Sequence, residues 1–171
     1  MQRRVAELQT EPMLMWHLLT HMSGLTYGFH NTHAVDAMWR AGGFEWVQPE
    51  GLDLAQCCDR WASLPLVFQP GTEWNYGIST DVLGRVVEVV AGCDLETFFR
   101  TRILDPLGMN DTTFHLPDAS ADRLAALYVP HPTDGKAVRA PEFLIRPLRP
   151  KMLSGGGGLY GTASDYLRFC Q

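Results

Sequence analysis

A serine with a lysine three residues on can act as an activated nucleophile, because a neighbouring base can take its proton. No such pair occurs in this chain. At that spacing Ser23 is followed by Thr26, Ser63 by Leu66, Ser79 by Val82, Ser120 by Arg123, Ser154 by Gly157 and Ser164 by Leu167. The only lysines are Lys136 and Lys151, and no Lys-Thr-Gly triplet appears. His21 lies close to Ser23, but both fall at a predicted helix end and read as packing and capping residues. The run Ser154-Gly155-Gly156-Gly157-Gly158-Leu159 demands unusual backbone angles or the close approach of another group. No Lys-Ser or Lys-Thr follows it, so it is not a phosphate-binding loop. It is expected either to line a substrate cleft or to let the final helix pack closely.

The remaining reactive side chains point to no second chemistry. Cys57, Cys58, Cys93 and Cys170 form no Cys-x-x-Cys pair, so zinc and dithiol redox readings fail. They are expected to be reduced, mostly buried thiols of a cytoplasmic protein, and neither metal nor cofactor is expected. Asp36, Asp53, Asp81 and Glu88 read as helix caps and solvated faces, without the paired-carboxylate pattern of glycoside chemistry.

The elements that must position these residues are mostly helical. Thr10 and Pro12 mark a helix start that Gly24 can close, with Met13, Trp16, Leu18 and Leu19 on one face. A second helix is predicted over 34–41, ended by Gly42-Gly43. A third starts at Asp53 and stops before Pro65, with Leu54, Cys58, Trp61 and Ala62 as its buried stripe. Residues 66–74 read as an extended loop around the Pro70-Gly71 turn. A long apolar helix follows, capped by Ser79 or Thr80 and running to Gly92. Asp94 caps another, ended by Asp105-Pro106. Residues 130–153, rich in proline, are a surface connection with one short strand pair. Thr162 and Asp165 form a capping box for a last helix that has no stop signal before Gln171, as though the chain were cut within it.

With 171 residues, 46% hydrophobic and 19% charged, the chain can bury one domain's core. A net charge of -5 with no basic run excludes nucleic acid and anionic membranes as partners. No apolar stretch is long enough to span a bilayer, and Met1 to Glu11 lacks the apolar core of a secretory leader.

Several segments, in this order and spacing, resemble the β-lactamase-related serine hydrolases. That group covers class C β-lactamases, D-alanyl-D-alanine carboxypeptidases and family VIII carboxylesterases. The segments are Leu18-Leu19-Thr20-His21-Met22-Ser23-Gly24-Leu25, Phe68-Gln69-Pro70-Gly71-Thr72-Glu73-Trp74-Asn75-Tyr76, and Asp81-Val82-Leu83-Gly84 with Glu88. Pro106-Leu107-Gly108-Met109 with Asp111-Thr112, and 155–165, complete the set.

The resemblance implies that Tyr76 stands in the catalytic centre, where the family's tyrosine acts with the tetrad lysine on the serine hydroxyl. On spacing alone Tyr76 would be a half-buried loop tyrosine. A phenol has an ordinary pKa of about 10 and works as a base only where cations stabilise its phenolate. Class C β-lactamases usually carry Tyr-x-Asn, and here that third residue is Ile78, which fits the esterase-like branch better. Ser154, Gly155 and Gly156 are the candidate substrate-binding residues.

The expected fold class is therefore mainly α: the helical subdomain of the α/β β-lactamase/transpeptidase-like fold, with the sheet subdomain largely absent. The chain is read as a single partial domain over 1–171. Its parent would cleave small-molecule esters, β-lactams or related amides through a seryl acyl-enzyme, while the chain alone is inactive. An uncovered apolar face is expected to promote self-association. The alternative is a non-catalytic helical binding module.

Overall fold

A computed structural model describes residues 7–45, 51–141 and 149–171. Among these residues the chain is mostly helical, with a single antiparallel pair, β1 (Tyr128–Pro130) and β2 (Ala137–Arg139), in which Val129 faces Val138. This is the strand pair expected in the proline-rich connection, of which residues 142–148 lie outside the described residues.

The first helix differs from expectation. α1 covers only Met15–Leu19. Residues before it are drawn along Gln69, whose amide donates to the Leu8 carbonyl at 2.9 Å and whose oxygen accepts the Thr10 N–H at 3.1 Å. The helix ends early because His21 itself takes the left-handed conformation (φ 56°), and Met22 N–H closes onto the His17 carbonyl. Gly24 is also left-handed, at φ 81°, but it lies in the loop beyond. Trp16 and Leu19, placed on the buried face by spacing, are exposed, while His17 and Leu18 are buried.

α2 (Ala34–Ala41) has the predicted bounds. It is held at its start by Asp36, whose carboxylate accepts from the Thr32 and His33 amides. α3 (Leu54–Trp61) is capped by Asp53 through the Gln56 amide, as expected. Its buried stripe is Leu54, Cys57 and Trp61. Cys58 is only partly buried and Ala62 is exposed, because the helix turns one residue from the predicted register.

α4 (Ser79–Ala91) is the central element, packing on α1, α3 and α5 (Leu95–Phe99) and ending at Gly92 in the left-handed region. Ser79 does not cap it. The residue is fully buried, and its hydroxyl meets that of Ser23 at 2.8 Å. Val89 and Val90, predicted on the apolar face, are exposed. Asp81, read as a cap or solvated residue, is fully buried in the first turn of α4.

Asp94 caps α5 through Thr97 N–H. The helical path then continues through a π turn, Arg100–Leu104, into α6 (Asp105–Leu107) and stops at left-handed Gly108. Pro106 does not end it: it lies within α6, and the path stops two residues later at Gly108. In α7 (Ala163–Cys170), Thr162 accepts from Asp165 N–H as predicted. The Asp165 carboxylate instead accepts from the Asp111 amide and the Thr112 hydroxyl, tying α7 to the segment after α6.

One core gathers Leu18, Leu25, Tyr27, Val35, Trp39, Leu54, Trp61 and Ile78 around the N-terminal end of α4, with Trp39 and Trp61 stacked at 6.4 Å. A smaller cluster of Leu95, Phe114 and Leu153 closes the opposite side. Each fully buried large side chain contributes roughly 1.5–3 kcal/mol, so the larger cluster fixes the frame on which the loops before α4 are hung.

Candidate active site

Tyr76 lies between the Pro70-Gly71 turn and α4, with about half of its surface exposed. Its backbone is anything but free, because the strip 21–30 zips against it. The His21 carbonyl accepts Asn75 N–H at 2.9 Å, and Asn75 Nδ2 donates to the Leu25 carbonyl at 3.0 Å. Met22 and Gly24 carbonyls accept the Gly71 and Val67 amides, and His30 Nε2 donates to the Tyr76 carbonyl at 2.8 Å. Gly77 must be glycine: a Cβ there would sit 2.5 Å from the Leu25 carbonyl oxygen and 2.8 Å from Thr26 Cα.

The Tyr76 ring is framed by other rings. Tyr27 stands 5.5 Å away at 57°, and His21 5.0 Å away at 45°. Tyr27 is buried with its ring beside that of Tyr76. Burial pushes the Tyr27 phenol well above its ordinary value, and the Asp81 charge and the Tyr76 phenol push the same way. Tyr27 therefore keeps its proton. Sequence reasoning missed Tyr27. Spacing offers no signal, since the tyrosines are brought together only by the zipped strips. His21, expected as a packing residue, packs its ring against Tyr76.

The glycine segment occupies the other side of the first turn of α4. Ser154 is buried, and its hydroxyl donates to Asp81 Oδ1 at 2.5 Å. Gly156 N–H donates to the same oxygen at 3.2 Å. Gly155 lies against Thr80 and Gly84, where a Cβ would come to 2.6 Å from the Thr80 carbonyl. The glycines thus pack on α4 and not on the final helix. Gly156 and Gly157 face solvent.

Both lysines have partners elsewhere: Lys136 pairs with Asp134 at 3.2 Å, and Lys151 donates to the Gly51 carbonyl at 2.8 Å. A cleft of about 620 Å³ between the start of α3 and the end of α4 includes Glu88, His115 and Lys151 but neither Tyr76 nor Ser154. Tyr76 lies outside that cleft, half exposed. Among the described residues no group of three His, Cys, Asp or Glu side chains is placed to hold a metal ion. Among the same residues no helix is long and apolar enough to cross a membrane.

The helical frame matches known proteins. The family model described as Beta-lactamase matches residues 3–171, and the chain belongs to that family. It is 37% identical over 161 residues to a lovastatin esterase of Penicillium rubens, covering 92% of this chain and 38% of that protein. It is 37% identical over 177 residues to esterase EstB of Burkholderia gladioli, covering 93% and 44%. Among solved structures it resembles EstCE1, described as a hydrolase with promiscuous acyltransferase activity, with a TM-score of 0.73 at 29% identity over 92% of this chain and 45% of that one. Simvastatin synthase (LovD) from Aspergillus terreus gives 0.73 at 28% identity, over 94% and 38%. The chain spans less than half the length of these relatives.

Proposed function

We propose that this chain is the tyrosine-bearing helical part of a serine hydrolase that cleaves small esters through a seryl acyl-enzyme. Tyr76 is its general base, and the nucleophilic serine comes from residues outside 1–171. The observation that carries the reading is the combination at Tyr76 of an exposed phenol with a backbone fixed on both sides. In the acylation step the Tyr76 oxygen, its phenolate stabilised by the lysine of a Ser-x-x-Lys segment outside 1–171, takes the serine proton while the serine oxygen attacks the ester carbonyl. The carbon–oxygen ester bond breaks, and the leaving alkoxide takes the proton back from Tyr76. Tyr27 supports the Tyr76 ring from beside it, at 5.5 Å between centroids. Gly156 and Gly157 contact substrate through the main chain, and Ser154 acts only by holding that segment to Asp81. The names of the esterase relatives support an ester substrate over a β-lactam, as does Ile78 where class C enzymes carry Asn.

The isolated chain is expected to leave p-nitrophenyl butyrate and nitrocefin intact and to take no label from a fluorophosphonate. Specific labelling of any of its serines overturns the assignment. With a Ser-x-x-Lys segment restored ahead of the chain, Tyr76→Phe keeps the ring and removes the hydroxyl. Turnover is then expected to fall about 10²–10⁴-fold, with little change in thermal midpoint. Near-full turnover in that variant returns Tyr76 to a packing role. The exposed Leu14, Met15, Leu19 and Trp74 support self-association of the isolated chain, which size-exclusion chromatography reads directly; a monomer at all concentrations refutes it.

A further inference from the structure

His21 carries two unfavourable features at once. It is one of the non-glycine residues with positive φ, at 56°. That conformation is unfavourable for an L-residue, and glycine or asparagine would adopt it more readily. Its Nδ1 is also sealed from solvent without a hydrogen-bond partner among the described residues. A buried polar atom left unpaired is destabilising, because it loses its water partners and gains none. A residue chosen for stability alone would carry neither feature. Strain of this kind collects where structure serves a site.

The ring's surroundings say which site. The left-handed turn swings the imidazole between Trp74, at 6.3 Å, and Tyr76, at 5.0 Å. From the same residue the carbonyl accepts the Asn75 amide, so backbone and side chain both act on the segment 74–76. Tyr27 is a further ring neighbour of Tyr76, at 5.5 Å.

We propose that His21 is a positioning residue for Tyr76: its imidazole, held out by the left-handed turn, forms the wall that fixes the direction of the Tyr76 hydroxyl. This rests on the reading of Tyr76 as the base. The ring stands in the way of movement of the phenol toward Trp74 and so limits the directions its hydroxyl can take.

The test uses His21→Asn, since asparagine accepts the left-handed backbone and removes only the ring. In the 171-residue chain with ¹³C-labelled tyrosine rings, Tyr76→Phe assigns the Tyr76 signals by their disappearance. In the unaltered chain those signals are expected away from the positions of an unstructured tyrosine, with cross-relaxation to the His21 ring. His21→Asn should move them to the unstructured positions and leave the Tyr128, Tyr160 and Tyr166 signals in place, with the thermal midpoint unchanged or raised. With a Ser-x-x-Lys segment restored, the same variant should lower kcat about tenfold to hundredfold and leave KM within twofold, as expected when a reacting group is displaced and binding is not. Unmoved Tyr76 signals, or a general loss of structure across all tyrosines, would make His21 a packing residue and overturn the proposal. Full activity of Tyr76→Phe would instead remove the base assignment and leave the His21–Tyr76 spectral result standing.

Discussion

Tyr76 and Ser154 flank the same first turn of α4, and they are built in opposite ways. At Tyr76 the backbone is fixed by carbonyl–amide bonds to the strip 21–30, and the side chain is left half in solvent. At Ser154 the side chain is buried on Asp81, and it is the following backbone, at Gly156 and Gly157, that reaches solvent. One region offers a functional side chain on a locked main chain, and the other offers main chain on a locked side chain. Both depend on the placement of α4, so the helix is the common reference for everything the site presents.

The contrast breaks most visibly at the glycines. A Cβ on Gly158 would run into the Phe114 ring and the Ser154 carbonyl, neither of which can move without disturbing the smaller core. Gly157 has nothing within 4 Å. Gly158→Ala is therefore expected to destabilise by about 3 kcal/mol, the upper part of the usual overpacking range, and Gly157→Ala by less than about 0.5 kcal/mol. Urea midpoints of the two variants decide it. Equal midpoints would mean that the glycine run is a loose loop and not packed main chain.

Asp81 gives the next effect. Asp81→Ala leaves the buried Ser154 hydroxyl without its acceptor, while the Gly156 amide can turn to water. The expected destabilisation is about 2–3 kcal/mol by chemical denaturation. The Tyr76 side should be spared, since none of its main-chain bonds passes through Asp81. Loss of the Tyr76 ring signature in this variant would merge the two regions into one cooperative unit.

How much of this was legible beforehand follows from the range of the forces. The bounds of α2 and the caps at Asp53, Asp94 and Thr162 were readable, because each is settled by residues within one turn. The short α1 was not, because its end is decided by a left-handed histidine that spacing does not mark. Ser79 looked like a cap and is instead a buried partner of Ser23, 56 residues away. Asp81 looked solvated because its partners come from 73 and 75 residues further along. The place of Tyr76 in the loop followed from the Pro-Gly turn, whereas its neighbours Tyr27 and His21 required the tertiary zip.

The smallest expected effect lies inside the strip that holds Tyr76. Thr26, buried beside Tyr27, donates from Oγ1 to Asp36 Oδ1 at 2.9 Å, and the other carboxylate oxygen accepts from the Thr32 and His33 amides. Burial raises the Asp36 pKa, but the hydrogen bonds from His33, Thr26 and Thr32 together outweigh it and hold the carboxyl below its ordinary 3.8. A carboxyl with a depressed folded value stabilises the fold above the unfolded value, and that contribution is lost as pH falls through the folded one. Thr26→Val keeps the shape and removes one donor to the charged group, so it should cost about 1–1.5 kcal/mol near pH 7. The variant's Asp36 should also titrate closer to 3.8, so acidification takes less from it. Thermal midpoints of the two proteins, apart near neutrality, should draw together as pH drops below about 4. A gap that stayed constant through that range would mean that Thr26 contributes by packing alone, and that the strip under Tyr76 is held by its backbone bonds without this charge.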